Sequence, residues 1–536
     1  MEATATTPPP ISAAKRNLVL AVMCLALVMV VAAVTMLANG LPLLAGSLDA
    51  SQAQQQWIVD AYTLALAALL LPAGALGDRY GRRGALIIGL IIFGVSSALS
   101  ATADTASVLI GWRVVTGIGA ALVMPGTLST ITSVFPPEER AKAVGIWAGF
   151  AGIGGTLGLL FAGALLESYS WESIFVVTAV LAAAALLGVI FVVPTTKSSE
   201  HVRLDPPGSV LSSIGIALLI LGIIEGPERG WSDPITLGAL VGGVALIALF
   251  LRVELRRDDP MLDPRLFRRR GFATGSASLF LQFFAMFGFF FVALQYLQLV
   301  LGYSALTAAV ALLPMSIFLL PLSVASGPLS ERYGHKLVGG AGLAISAIGF
   351  AMFATLGTDS GYLPFMIATL VIGAGTALAM TPATNAIVSS LPRSKQGVAS
   401  AVNDTARELG AAFGVAVLGS AFNIGYRNTI DHDVSELPRS IAEQAREAPA
   451  IAVKAAEGLT DGSALVRAAQ EAFTAGMRYA LMVGLVLLVA GTLFVWLRGA
   501  SRDEEVLEDD LDLDVDLELA EPIDLTDHVD VDVAVT

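Results

Sequence analysis

The chain has 536 residues, of which 55% are hydrophobic and 14% are charged. This composition excludes an ordinary soluble globular protein, because soluble domains carry about 25% charged residues. The formal net charge is −14, but residues 503–532 hold fifteen Asp and Glu and no Lys or Arg, so the rest of the chain has a net charge of +1. Cys24 is the only cysteine, which excludes a disulfide within the chain.

Runs of about 20 apolar residues, the length that an α-helix needs to cross a bilayer, recur along the whole chain. The first run is too long for the core of a signal peptide and is interpreted as a retained helix. The sequence therefore predicts an all-α integral membrane protein. Fourteen transmembrane helices are predicted, at 18–44, 55–76, 84–101, 106–132, 141–166, 172–194, 208–225, 234–251, 271–300, 305–328, 337–356, 361–388, 396–424 and 476–497.

The positions of the basic residues predict which side of the membrane each loop faces. Of the thirty-one Lys and Arg, twenty-two lie in the terminal segments and in the loops that share their side. The opposite loops hold seven, six of them between residues 427 and 478. Because short cytoplasmic loops are enriched in Lys and Arg, both termini are predicted to be cytoplasmic. The expected location is the inner (cytoplasmic) membrane.

Two charged residues interrupt the second and fourth runs. Asp60 and Arg113 lie about six and seven residues inside the outer end of their helices, so both are expected about 10 Å below the outer boundary. A carboxylate that faces an arginine stays ionised, whereas one that loses its partner in apolar surroundings takes up a proton. Asp60 is therefore a candidate proton carrier and Arg113 its tuner. A static pair that holds the two helices in register is the alternative.

Two loops of the chain are copies of each other. The loop after the second run reads GALGDRYGRR at residues 74–83, and the loop after the tenth reads GPLSERYGHK at residues 327–336. A second echo, FPPEERAKAVG and LPRSKQGVAS, recurs at a similar offset. The repeat predicts two joined six-helix bundles, an architecture of many secondary transporters. The predicted segments are a cytoplasmic start at 1–16, an N-terminal bundle at 17–200, two linker helices at 201–257, a C-terminal bundle at 258–500 with an extracellular insertion at 426–475, and an acidic tail at 501–536.

The copied loops group glycines with ionisable side chains. Glycine permits tight turns and close approach, and the ion pairs of such a cluster form in only one of two helix packings. The cluster is therefore a candidate conformational latch, with simple anchoring by positive charge as the alternative. The candidate latch residues are Gly74, Asp78, Arg79, Gly81, Arg82, Arg83, Glu331, Arg332 and Lys336.

The ninth run, FLQFFAMFGFFFVALQYLQ at residues 280–298, combines phenylalanines with polar side chains that need partners away from lipid. Packing against lipid is the commoner use of such phenylalanines. Aromatic walls with a few polar groups also suit flat hydrophobic ligands and organic cations. The candidate substrate-cavity residues are Gln282, Phe287, Gln295, Tyr296 and Gln298, together with Asn403 of the thirteenth run.

The thirteenth run carries charges that share one helical face. Asp404, Arg407 and Glu408 are three or four residues apart, and that face must avoid lipid. These residues are candidates for proton coupling, and a structural ion-pair network is an equally open interpretation. In the insertion 426–475, one or two amphipathic helices are expected on the outer surface, as a lid or as a tolerated insertion. The acidic tail is expected to be disordered and solvated rather than docked.

At these residues the chain resembles the major facilitator superfamily. The loop GALGDRYGRR matches that superfamily's hallmark loop between helices two and three. Fourteen spans, LIGWRVVTGIGAA at 109–121 and GVASAVNDTARELG at 397–410 narrow the resemblance to the fourteen-helix drug/proton antiporter family, over residues 15–500. The resemblance implies the major facilitator fold and export of lipophilic, often cationic drugs, antiseptics or antibiotics.

The chain departs from the family pattern at three places, one of which is Glu172, where arginine is usual after the Trp of SWESIF. Members of the family commonly carry Asp-x-Thr in helix one, where this chain has Ala33 and Thr35. Leu159 stands where a proline is usual in helix five, although the small residues around it remain. These departures bear on the coupling mechanism and leave the expected fold unchanged.

The sequence thus predicts proton-coupled efflux by alternating access, in a monomer that needs no cofactor or metal. The expected partners are a lipophilic small molecule, protons and the lipid bilayer, with no nucleic acid. A proton-linked uptake carrier for a small metabolite is one alternative, and a transport-inactive lipid-binding or signalling relative is another. An enzyme is not expected, because no Walker sequence or paired-cysteine motif occurs and the four histidines fall in predicted loops or the tail.

Overall fold

The computed structural model describes residues 12–195, 205–257, 259–434, 438–456 and 462–499. Within these ranges, fourteen helical stretches are long and apolar enough to cross a membrane. They coincide with the fourteen predicted runs, so the all-α membrane architecture is confirmed. The acidic tail 501–536 and most of the predicted segment 1–16 lie outside the described residues.

Six long helices form the N-terminal half. The sequence determines several of their ends: Ser51 and Gln54 form a capping box at the start of α2, and Gly81 ends α2 with φ of 106°, a conformation that favours glycine. The six helices are α1 (Ala13–Ser47), α2 (Gln52–Tyr80), α3 (Arg82–Ser100), α4 (Ala106–Val134), α5 (Pro137–Leu166) and α6 (Glu172–Val192).

Two helices form the predicted insert, α7 (Pro206–Arg229) and α8 (Pro234–Glu254). Each begins with an Asp N-cap followed by proline at the first helical position, a favourable start because proline lacks an amide hydrogen that would be unsatisfied there. The two helices pair with each other, and α7 also packs against α2 and against one helix of the C-terminal half. The insert therefore contacts both halves.

The C-terminal half has the same plan with one irregular span. The tenth predicted run divides at Leu312 into two helices, because Pro314 enters the first turn of the second and cannot donate to the preceding one. The helices are α9 (Arg270–Gln295), α10 (Ala305–Ala311), α11 (Leu313–Tyr333), α12 (His335–Ala354), α13 (Tyr362–Ser389), α14 (Gln396–Asp433) and, after two short helices, α17 (Gly462–Arg498).

The predicted insertion contains the two short helices, α15 (Arg439–Glu447) and α16 (Pro449–Ala456). Helices α14 and α17 are 38 and 37 residues long, well beyond the roughly 20 that a bilayer requires. The end of α14 and the start of α17, which the insertion joins, therefore project beyond the apolar zone. The Tyr426 hydroxyl donates to the Ala445 carbonyl at 2.7 Å and thereby fixes α15 on α14.

The bundle has two ends. The termini end carries the first residues of α1 and the last residues of α17, and the far end carries α15 and α16. Near the termini end the two halves touch through small residues. A Cβ at Gly145 of α5 would lie 2.6 Å from the Ser323 carbonyl oxygen, and one at Gly327 of α11 would lie 2.8 Å from that of Ala141. Side chains there would separate the halves.

Candidate functional site

The Asp78 carboxylate joins the two halves at the termini end. Its Oδ2 accepts hydrogen bonds from the backbone amides of Gly397 and Val398 at 2.8 and 3.1 Å, and its side chain is almost fully buried. Both amides belong to the first turn of α14, where helical N–H groups lack partners within the helix and the helix dipole favours an anion. Gly74, one turn earlier, packs directly on the Gly397 carbonyl, so the contact requires glycine.

Arg82 of the same loop holds Asp78 in place. Arg82 donates to Asp78 Oδ1 at 3.1 and 3.3 Å and to the Ser129 carbonyl of α4 at 3.1 Å. Arg83 points away and donates to Thr195 Oγ1 at 3.1 Å, after α6. Arg79 is exposed and lies over the neighbouring Tyr80 ring. The ion pair of Asp78 with Arg82 and the contact of Asp78 with α14 join the two halves at this end, and the interpretation of the cluster as a latch stays a prediction.

The second copy of the loop does not form the equivalent contact. Glu331 and Arg332 are exposed, and Lys336 is half-buried. The reason lies in the facing helix: α5 begins at Pro137, four residues before Ala141, so the Ala141 amide lies inside the helix rather than in its free first turn. The interpretation of Glu331, Arg332 and Lys336 as a second latch is therefore corrected for this state of the protein.

Arg113 is buried in α4 and binds α2. Its Nε donates to the Ile58 carbonyl at 2.9 Å, and its guanidinium lies 4.3 Å from the centre of the Tyr62 ring. Its Nη2 is buried without a hydrogen-bond partner among the described residues. The guanidinium is turned toward the α2 backbone and the aromatic ring, and the ion pairs found among the described residues do not include one between Arg113 and Asp60. Asp60 is half-buried on α2, between the two residues that Arg113 contacts.

Tyr62 connects Arg113 with the other half of the protein. Its hydroxyl donates to the Val30 carbonyl of α1 at 3.0 Å, and the side chain of Glu408 on α14 is close enough to interact with it electrostatically. Glu408 is half-buried. The aromatic ring thus lies against a cation of the N-terminal half and within electrostatic range of an acid of the C-terminal half. Sequence reasoning missed Tyr62, and no sequence signal distinguished it from Asp60 as the residue whose side chain Arg113 contacts.

The charged face of α14 avoids lipid, as predicted. Asp404 accepts from Arg407 Nη1 at 3.4 Å and from Asn403 Nδ2 at 3.2 Å, and all three side chains are buried. The Arg407 guanidinium also lies 5.3 Å from the Trp147 ring centre on α5 and 4.6 Å from that of Phe283 on α9. Arg407 therefore contacts both halves.

This cluster is incompletely satisfied. Asn403 Oδ1, Asp404 Oδ2 and Arg407 Nε are buried and have no hydrogen-bond partner within the described part of the chain. Trp147 was not singled out from the sequence, and the signal was a large aromatic side chain among the small residues of GIWAGFAG. Buried polar atoms without partners are uncommon in native proteins and mark positions where a ligand, water or proton binds.

The predicted substrate-cavity residues of α9 separate into two groups. Gln282 is buried with both amide atoms unpartnered among the described residues, and Phe287 stacks on Phe283 with ring centres 6.1 Å apart. Tyr296 is instead a structural residue, because its hydroxyl donates to the Gly357 carbonyl at 3.0 Å and its ring stacks on Phe365.

The remaining two glutamines also lie toward the far end. Gln295 Nε2 donates to the Phe291 carbonyl of its own helix at 2.9 Å, and Gln298 is exposed. A five-residue π-helical turn, Tyr296–Val300, follows α9 and contains Gln298. The assignment of Tyr296 and Gln298 to a substrate cavity is therefore corrected. An open apolar recess of about 500 Å³ between α12 and α13, near Met352 and Ile367, contains none of the candidate residues.

The position of the missing first-helix acid is filled by close packing. Ala33 is buried, and Thr35 donates through its hydroxyl to the Ala32 carbonyl at 3.2 Å. Gly158 of α5 packs directly on Thr35 and Ala32. The small residues of α5 thus hold α1 closely without an interior proline, as expected from their spacing.

Comparison with known proteins shows the family. The model of the family described as Major Facilitator Superfamily matches residues 23–415. The multidrug efflux pump LfrA of Mycolicibacterium smegmatis is 34% identical over 478 residues, covering 89% of this chain and 95% of LfrA. The tetracenomycin C resistance and export protein of Streptomyces glaucescens is 30% identical over 89% of this chain and 90% of its own length. The methyl viologen resistance protein SmvA of Salmonella typhimurium is 32% identical over 87% of this chain and 96% of its own.

Solved structures agree in fold. The proton:xylose symporter XylE superposes with a TM-score of 0.58 at 15% identity, covering 93% of this chain and all of that chain. The human organic anion transporter MFSD10 superposes with a TM-score of 0.59 at 15% identity, over 91% of this chain and 100% of the other. The family model matches most of the chain, the similar proteins are efflux and resistance proteins, and the fold is shared. The chain therefore belongs to the major facilitator superfamily and is a multi-pass membrane transporter, not an enzyme.

Proposed function

We propose that the protein exports lipophilic, mainly cationic drugs or antibiotics across the cytoplasmic membrane, driven by the proton gradient through alternating access. Similarity over nearly nine-tenths of the chain to proteins named for multidrug efflux and for antibiotic resistance supports the substrate class. One chain supplies both halves of the transport unit, which supports a monomer. No cofactor enters the proposal, since the proton gradient supplies the driving force.

In this proposal the termini end faces the cytoplasm. The support is the distribution of charge, with twenty-two of thirty-one Lys and Arg on that side. Asp78 and the first turn of α14 then close the cytoplasmic side of the path. Breaking that contact opens the path to the cytoplasm, because the two halves are otherwise held there by close glycine contacts that separate as rigid bodies.

The observation that carries the coupling mechanism is the group of buried charges at the contact of the two halves. Arg113 and Tyr62 belong to the N-terminal half and Glu408 to the C-terminal half, and Arg113 Nη2 is buried without a partner in the described structure. Rocking of the halves changes how close the cation is to each acid and how well each acid is hydrated, and both changes alter protonation. Asp60 and Glu408 are the proposed proton carriers and Arg113 the tuner.

The substrate is proposed to bind between α9, α14 and α5. Phe283 and Phe287 offer stacked aromatic faces, and Gln282 offers an amide whose two polar atoms have no protein partner among the described residues. A flat apolar cation gains from the aromatic faces, and a single polar group orients it. Asn403 Oδ1 is another buried acceptor without a hydrogen-bond partner among the described residues.

Proteoliposomes test this function. We expect purified protein to move ethidium uphill when a pH gradient is imposed, and to stop when an ionophore collapses the gradient. Movement with protons rather than against them would contradict export and support a metabolite-type uptake carrier. Absence of movement with ethidium, methyl viologen and tetracenomycin C under every imposed gradient would contradict transport.

A further inference from the structure

Two acidic residues meet at the base of the two-helix insert, away from the candidate site. Asp205 precedes α7 and Glu254 ends α8, at the termini end of the bundle. Their residues are only 2% and 1% exposed. Acidic side chains are almost never buried to this extent unless they are paired, so the partners of these two determine their charge state.

One oxygen of each carboxyl group accepts hydrogen bonds from a backbone amide or pairs with an arginine. Asp205 Oδ1 accepts from the Gly208 amide at 2.9 Å, as the N-cap of α7, and pairs with Arg257 Nη1 at 3.0 Å. Glu254 Oε2 accepts from the Leu262 amide at 3.1 Å. These contacts satisfy the oxygens that face the backbone and the arginine.

The other two oxygens face each other. Asp205 Oδ2 and Glu254 Oε1 are both buried and have no donor among the described residues. A Cβ built at Gly208 would lie 2.5 Å from each of them, so the two oxygens are at most about twice that distance apart. Ionised carboxylates only accept hydrogen bonds, so a hydrogen bond between these two oxygens requires a proton.

We propose that Asp205 and Glu254 form a proton-binding site, in which one shared proton joins the two carboxyl groups and holds the ends of α7 and α8 together. A single arginine, Arg257, balances the one remaining negative charge. Two ionised carboxylates at this distance would repel each other in apolar surroundings. The shared proton removes that repulsion and supplies the missing donor.

Among the described residues, the packing helices add no charged partner to the pair. Helix α7 packs against α2 and α14, and no described side chain of either helix forms a hydrogen bond or ion pair with Asp205 or Glu254. Arg257 is the cation that the described part of the chain supplies to the site.

The site secures a connection to the latch. The chain after Glu254 passes through Met261 and Leu262, and Lys395 donates to Asp259 Oδ1 at 2.9 Å and to the Pro260 carbonyl at 3.0 Å. Lys395 immediately precedes α14, whose first turn binds Asp78. Loss of the proton loosens the segment between α8 and α14. The ends of α7 and α8 are therefore held together only while Asp205 and Glu254 share a proton.

Infrared spectroscopy of the purified full-length protein tests the proposal. We expect one component of the protonated carboxylic acid band to disappear as pH is raised, and we expect that component to be missing from the spectrum of Glu254→Gln. The matched control is Glu225→Gln in the same insert, whose acid is already paired with Arg229 and should leave the band unchanged. A Glu254→Gln spectrum identical to that of the wild type would overturn the proposal.

A second variant keeps the test independent of the folding of Glu254→Gln. Arg257→Gln removes the cation that stabilises the charged form, so the band should persist to a pH higher by about 1 unit. The melting temperature supplies a further readout: a proton held more tightly in the folded state stabilises it at low pH, and this contribution is lost as pH rises. We expect a fall on the order of 3 °C. An unshifted band in Arg257→Gln, or a melting temperature without this decline, would contradict the shared proton.

Discussion

Asp78 on α2 accepts hydrogen bonds from the Gly397 amide of α14 at 2.8 and 2.9 Å, although 319 residues separate them in the chain. The contact places a buried carboxylate on the free first turn of a helix in the opposite half. Favourable interaction of the anion with the helix start and close contact of the glycine backbones occur together only when the halves meet at the termini end. This single relationship links the hallmark loop to the state of the transporter.

Replacing Asp78 should release the termini end. Asp78→Asn keeps the shape but loses the charge, and charge-assisted hydrogen bonds contribute roughly 1.5–3 kcal/mol each, so we expect efflux of ethidium from proteoliposomes to fall by about 10-fold or more. The internal repeat offers a matched control: Glu331→Gln alters the exposed copy and should stay within about twofold of the wild type. Equal losses in both variants would show that the asymmetry between the two loops has no functional role.

The glycine at the start of α14 should be as necessary as the acid. A Cβ at Gly397 would lie 2.5 Å from the Gly74 carbonyl oxygen and 2.7 Å from Asp78 Oδ1, so Gly397→Ala must push the halves apart. We expect loss of transport with the fold retained, measured as ethidium efflux beside the melting temperature. Gly357→Ala is the control, because no atom lies within 4 Å of a Cβ there. Normal efflux in Gly397→Ala would contradict the close contact.

The planar guanidinium of Arg113 should be required, and its charge alone should not suffice. Arg113→Lys keeps the charge but loses both the stacking on Tyr62 and the fixed Nε donor to Ile58, which are properties of arginine that lysine lacks. We expect pH-driven efflux to fall by about 10-fold, on the basis of a buried cation–π contact of about 2 kcal/mol with its hydrogen bond.

Tyr62 separates the two roles of that contact. Tyr62→Phe keeps the ring under Arg113 and loses only the bond to the Val30 carbonyl, so its efflux should exceed that of Tyr62→Leu, which loses the ring. Rates of ethidium efflux at several imposed pH gradients provide the comparison. Indistinguishable rates for Phe and Leu at this position would remove the ring from the mechanism.

Trp147 should couple α5 to the charges of α14. Its ring lies against Arg407, and its Nε1 donates to Thr127 Oγ1 at 3.1 Å. Trp147→Phe keeps an aromatic face for the arginine, whereas Trp147→Leu does not, so the leucine variant should show the larger rise in the substrate concentration needed for half-maximal efflux. If the phenylalanine variant is the more impaired, the hydrogen bond to Thr127 is the important contact.

Much of the fold could be predicted because the length of an apolar run is read directly from the local sequence. Each run of the sequence became a helix, and the main irregularity, the division at Leu312, follows from Pro314. The loop copy at 327–336 also predicted where α11 and α12 meet. The extension of α14 and α17 beyond the membrane was not predicted, because hydropathy reports the spanning portion of a helix and not where its backbone bonds end.

The site was predicted in part. Asp78 and Arg82 were identified because their loop recurs in the chain, and the α14 charges because ionisable groups in apolar helices are expensive and therefore conspicuous. The hydrogen-bond partners of Arg113 and Asp78 were missed because they are backbone groups. Arg113 binds the Ile58 carbonyl and Asp78 binds backbone amides, and the residue type does not reveal which backbone group a side chain will bind. The two-residue separation of Asp60 and Tyr62 does not reveal which of them faces Arg113 until the helix packing is known.

The most direct test of the account is pH-driven ethidium efflux by Asp60→Asn in proteoliposomes, beside Asp104→Asn as a control on an exposed loop residue. We predict that Asp60→Asn folds normally and moves no ethidium uphill, while Asp104→Asn pumps as the wild type does. Uphill efflux by Asp60→Asn at the wild-type rate would contradict proton coupling through this acid.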